Sequence, residues 1–257
     1  MRTLFLFICC IIHITATIGQ GSTSPFRKGY IRLGIQLPGK SLDHMLSPKE
    51  NMVRGNFGND IGFNIEKGHI FYFIPAGRAK TINAGLDWTV ISVSGTPTAK
   101  SWKNYTRANT SYVNEDFTSK LFLSLATKAG PVVSINPVQD LVIDVRVQAS
   151  LGVYGLGPVY EHYADDRYDP ETLNAFYPYP YDEEATGIKP FTQAFHAAIR
   201  PNIGASVKWR SIGLAADYSP GNINMKYREV TNGAGSTGEQ KITMNTFQVK
   251  LSLQGKK

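Results

Sequence analysis

The 257-residue chain has two cysteines, Cys9 and Cys10, both within its first ten residues, so a disulfide-stapled domain is excluded for the remainder. Neither suits lipid attachment, because nothing small precedes them and the apolar run before them is brief. No apolar run reaches the ~20 residues that a membrane-spanning helix needs. Helix-type apolar spacing is scarce. His44, His69, His162 and His196 are isolated, without the paired spacing of a zinc site, and nucleophile-elbow, Walker and dinucleotide motifs are absent. The expectation is therefore no catalytic residue, no metal and no cofactor. Formal charge is +7, or +6 without Arg2, yet Lys and Arg are scattered singly, so nucleic acid is not an expected partner.

Met1 and Arg2 make a short basic start, and Leu4 to Ile14 is apolar except for His13. This pattern predicts a signal peptide over residues 1–19, cut before Gln20, with a cut after Ala16 as the alternative. Residues 20–257 are expected to form a single domain, as no internal repeat or second domain is visible.

Gly, Tyr, Phe, Thr, Ser and Asn are plentiful, which favours strands and turns. In residues 140–155, Leu141, Ile143, Val145, Val147, Ala149, Leu151 and Val153 alternate with Val142, Asp144, Arg146, Gln148, Ser150, Gly152 and Tyr154. The run is more than twice the usual strand of about five or six residues. Comparable alternation marks 30–37, 195–209, 212–218 and 246–253, and weaker alternation 57–74, 81–94 and 120–128. Lys67 and Gly68 break the phase, as a bulge or as a turn. Pro201 is expected at a bulge or beyond the regular ladder.

The connections read 38–56, 75–80, 95–119, 129–138, 158–191, 209–210 and 220–240, alternately long and short. A membrane barrel with short inner turns and long outer loops produces this rhythm. Alternation alone fits a half-exposed soluble sheet equally well. Length discriminates: a tilted strand needs about 9–11 residues to cross the hydrocarbon layer, and only a closed barrel satisfies its backbone there. Tyr30, Tyr72, Trp88, Trp209, Tyr218 and Phe247 fit interfacial girdles as well as ordinary strand composition. The expected fold is all-β, a closed antiparallel up-and-down transmembrane β-barrel of eight strands.

On this pattern, over residues 28–253, the chain resembles the small outer-membrane β-barrel family of Gram-negative bacteria, the OmpA/OmpX-like, porin-family type. The resemblance implies a cell outer-membrane location, with outer-membrane lipid as one partner and other envelope proteins as possible partners through the outer loops 38–56, 95–119, 158–191 and 220–240. Oligomeric state is left open. Inward positions would then include Arg32, Gln36, Asp60, Glu66, Asp87, Asp144, Arg146, Lys208, Asp217 and Lys250. In an eight-stranded barrel side chains fill the interior, so these charges read as a structural lumen network, with a selectivity filter as the alternative. The acidic, aromatic stretch 160–184 supplies a candidate contact site, Tyr160, Tyr163, Tyr168, Tyr177, Tyr179 and Tyr181, or else a lid over the mouth. The expected function is a non-enzymatic structural or interaction protein. A narrow porin-like channel and a surface-acting barrel enzyme built on His162 are the alternatives.

Overall fold

The computed structural model describes residues 25–38, 40–58, 60–75, 79, 81–108, 115–117, 121–155, 160–163, 173–178, 195–231 and 234–255. Among these residues thirteen strands follow in chain order, β1 (Gly29–Pro38), β2 (Gly62–Tyr72), β3 (Ile82–Pro97), β4 (Glu115–Phe117), β5 (Leu121–Val138), β6 (Leu141–Gly155), β7 (Tyr160–Tyr163), β8 (Leu173–Pro178), β9 (Phe195–Trp209), β10 (Ile212–Ser219), β11 (Asn222–Thr231), β12 (Ala234–Thr243) and β13 (Thr246–Gln254). Two short helices, α1 (Pro48–Val53) and α2 (Ala99–Ala108), lie between barrel strands.

Eight strands close into an antiparallel barrel in the order β1-β13-β10-β9-β6-β5-β3-β2. Closure leaves no strand edge in the apolar layer, where each unpaired backbone group costs several kcal/mol. Along β6 burial alternates residue by residue. Val145, Val147 and Leu151 are each more than half exposed, whereas Asp144 and Arg146 are at most 1% exposed. The exterior is a belt of apolar side chains, among them Ile65, Leu86, Trp88, Ile199, Val207, Leu214 and Leu251. The interior is polar. That inversion relative to a soluble protein defines a transmembrane barrel.

Several sequence expectations are corrected. The phase break at Lys67/Gly68 is a register shift inside a continuous β2, so it is a bulge and adds no strand. Residues 129–138 are not a connection: β5 runs on to Val138, and a tight turn at Gln139 and Asp140 leads into β6. The ladder from β5 to β6 skips Gly130 and Pro131 and resumes in the same register, so the proline's missing N–H disturbs the sheet little. Pro201 sits inside the ladder to β6 without a register shift, while the β10 ladder stops at Ile203. It therefore lies beyond the ladder on one side alone. Tyr30 and Tyr72 are not girdle residues: Tyr30 is 3% exposed and Tyr72 half-buried, and both point inward. Trp88, Trp209, Tyr218 and Phe247 do face out.

The long outer connections carry secondary structure that alternation did not predict. Those after β3, β6 and β10 contribute β4, β7, β8, β11 and β12 to a second, five-stranded sheet of order β12-β11-β8-β7-β4. At the opposite end, the turns after β5 and β9 each contain a residue at positive φ, Asp140 (68°) and Arg210 (55°). They are tied together by Arg210 N–H to Asp140 O (2.9 Å) and by Arg210 Nε to Asp140 Oδ2 (3.1 Å).

Candidate functional site

The polar face of each strand meets its counterparts inside a barrel too narrow for bulk water, so every inward charge must find a partner. β6, β9 and β10 supply Asp144, Arg146, Lys208 and Asp217, and β1, β2, β3, β5 and β13 supply Arg32, Glu66, Asp87, Lys128 and Lys250. All nine are at most 4% exposed. Asp217 Oδ1 accepts from Arg146 Nη2 at 2.6 Å and its Oδ2 from Lys250 Nζ at 2.5 Å. Glu66 Oε1 receives Lys250 Nζ at 2.7 Å and Lys128 Nζ at 2.6 Å. Asp87 Oδ1 accepts from the Tyr30 hydroxyl at 2.6 Å. Arg32 spans Glu66 (3.8 Å) and Asp87 (3.6 Å) and lies 3.7 Å above the Tyr30 ring. Nearer the tight turns, Asp144 takes Lys208 Nζ at 2.6 Å with the hydroxyls of Ser134 and Ser206.

Glycine makes room for these long side chains. A Cβ on Gly204 would stand 1.8 Å from Asp217 Oδ1, and one on Gly68 2.2 Å from the Tyr30 hydroxyl. The fit between small and large residues is what fills a small barrel.

Both ends of the lumen are apolar. Phe26 packs on Tyr72 (ring centroids 5.5 Å apart) and clusters with Ala79 and Val142 below the charges. At the outer end Phe122 and Tyr154 meet Phe57, Trp102, Tyr105, Ile223, Ile242 and Met244, contributed by the first, second and fourth outer connections. Sequence sets up this cap locally. Ser47 and Glu50 form a reciprocal capping box on α1, with Ser47 N–H to Glu50 Oε2 at 3.0 Å and Glu50 N–H to Ser47 Oγ at 3.2 Å. These bonds from Ser47, backbone first, hold the Glu50 carboxyl below its ordinary range. Buried Asn51 holds the loop through the backbone of Asp43 and the side chain of Asn56. Asp60, expected inside the lumen, instead accepts from the Ser101 N–H in the first turn of α2 (3.0 Å).

The structure thus brings Arg32, Glu66, Asp87, Asp144, Arg146, Lys208, Asp217 and Lys250 into the lumen. It adds Tyr30 and Lys128, which the sequence reading missed. Lys128 ends the weakly alternating 120–128 segment, and continuing its period through Ala126 places it inward. Of the tyrosine stretch, Tyr160 and Tyr163 belong to β7 and Tyr177 to β8, while Tyr168, Tyr179 and Tyr181 lie outside the described residues. His162 pairs in register with Glu115 and Asn174 across the second sheet. Among the described residues, no group of histidine, cysteine and carboxylates is arranged to hold a metal.

No family model matches the chain, and neither does any curated protein. Among solved structures it is similar to Ail, the attachment invasion locus protein of Yersinia pestis, at 11% identity and a TM-score of 0.38, covering 88% of this chain and 97% of that one. A second structure of Ail from Y. pestis, in complex with the heparin analogue sucrose octasulfate, shares 10% identity at a TM-score of 0.35, covering 89% and 99%.

Proposed function

We propose that this chain is a non-enzymatic integral protein of the bacterial outer membrane, of the small OmpA/OmpX-like type, that binds partners through its outer connections. In this reading residues 1–19 are the export signal, 20–257 form one barrel domain, and the charged lumen is structural. The observation that carries the reading is the second sheet. The outer connections build five further strands, and β12 at its end pairs with β11 alone among the described residues. Away from Thr243, against whose carbonyl Gly55 packs, such an edge offers backbone donors and acceptors to an added strand. In the same sheet β7 and β8 carry Tyr160, Tyr163 and Tyr177, and a tyrosine-rich sequence supplies contact area at low ordering cost. Partners are membrane lipid around the belt and envelope or external proteins at the sheet.

The packed lumen weighs against a pore, since the cavity toward its outer end measures about 20 Å³, close to the space of one water. The test has two arms. Replacing residues 160–184 by a short Gly/Ser linker should abolish co-purification of partners from mild detergent while leaving the heat-dependent gel shift of a folded barrel intact. Steady ohmic conductance of the wild-type protein in planar bilayers, with partner recovery unchanged in the variant, would overturn the reading in favour of a narrow channel.

A further inference from the structure

The charges that the described residues bring into the lumen do not balance. Among the described residues six buried cations, Arg32, Lys128, Arg146, Arg200, Lys208 and Lys250, face four buried carboxylates, Glu66, Asp87, Asp144 and Asp217. The carboxylates are engaged with the other five cations, and none is paired with Arg200. Arg200 is 3% exposed. Its Nη2 donates to the carbonyls of Ser219 and Met244, its Nε has no acceptor among the described residues, and its guanidinium lies 5.3 Å from the Tyr154 ring centroid. Carbonyl dipoles and a ring face do not neutralise a full charge held out of water.

The small cavity toward the outer end of the lumen lies against this excess. Lys128 and Arg200 both line it, together with Ser92, Ser150, Gln36 and Gln248, and no carboxylate does. One of the three Lys128 donors goes to Glu66, which leaves two for the cavity. About 20 Å³ accommodates one small sphere, which excludes sulfate, phosphate and organic acids. A neutral water would fill the space and leave the charge excess untouched.

We propose that this cavity binds one monovalent anion of halide size between Lys128 and Arg200, as a structural counter-ion of the outer lumen. Two measurements on the folded barrel in detergent test it. Crystals grown in sodium bromide should show an anomalous peak inside the cavity. The urea midpoint should rise saturably with chloride or bromide relative to gluconate at equal ionic strength, and Ala126→Leu, which fills the cavity from its wall, should lose that dependence. Midpoints equal in all three salts, or a halide effect that does not saturate and persists in Ala126→Leu, would overturn the site. Should Ala126→Leu not fold, the anomalous map of the wild-type protein decides alone, and bromide found only on the exterior counts against the proposal.

Discussion

Asp217→Ala removes a carboxylate that two buried cations share. In the folded barrel Asp217 is 2% exposed and receives both Arg146 (2.6 Å) and Lys250 (2.5 Å). Breaking a buried pair from one side costs about 3–5 kcal/mol, because the remaining charge stays desolvated without a partner. Here Lys250 keeps Glu66 at 2.7 Å, whereas Arg146 keeps only a 3.9 Å approach to Asp87, so Arg146 bears most of the loss. The cost should fall in that range, about a hundredfold or more in the unfolding equilibrium. Asp140→Asn provides the control, since it removes the charge from an ion pair that is 36% and 68% exposed, keeps a side chain that tolerates the positive φ there, and should cost at most about 1 kcal/mol. Both variants are compared by urea titration in micelles, read by tryptophan fluorescence and by gel mobility. Equal midpoint shifts for the two variants would refute the argument that enclosure in the lumen sets the cost.

Three further outcomes follow from the same geometry. Asp144→Ala should destabilise the barrel by about 3–5 kcal/mol through the stranded Lys208, and Asp144→Leu combined with Lys208→Met should recover most of that, as measured by urea midpoints. Gly204→Ala should weaken the barrel by roughly 1–3 kcal/mol through overpacking, since its new methyl would displace Asp217 from Arg146; a wild-type midpoint would contradict this. At α1 the lowered Glu50 pKa means that the capping box is complete at neutral pH and is lost as pH falls below the ordinary glutamate range. Ser47→Ala should return the Glu50 titration, followed by NMR, towards that of an exposed glutamate.

The barrel was legible because one physical demand, apolar outside and polar inside, repeats every second residue over strands as long as β6 and β9. What local chemistry obscured was legible only in part. Gly130, Pro131 and Pro137 look like a turn, yet β5 absorbs them, since Pro131 faces outward and a Cβ on Gly130 would stand 2.0 Å from Val147 O. The second sheet went unrecognised because β7 and β8 carry no sustained alternation. Its strongest hairpin did carry a signal: Asn232-Gly233, the favoured two-residue hairpin sequence, sits between the paired residues Thr231 and Ala234. The capping box Ser47-Pro48-Lys49-Glu50 likewise announced α1. The inward lie of Tyr30 was harder to read, because Tyr fits an interfacial girdle as readily as a hydrogen-bonded interior and only the closed register places it beside Asp87.

The central claim is that the alternation points apolar side chains at lipid and charges at an enclosed lumen. With Cys9 and Cys10 replaced by alanine, the chain has no other cysteine, so single cysteines can be introduced in turn over 145–153 and spin-labelled in bilayers. Accessibility to lipid-dissolved oxygen should peak at residues 145, 147, 149, 151 and 153 and fall between them, with a water-soluble relaxant excluded at every peak. A water-soluble relaxant reaching 145, 147 and 151 freely, or an oxygen profile without period two, would contradict it.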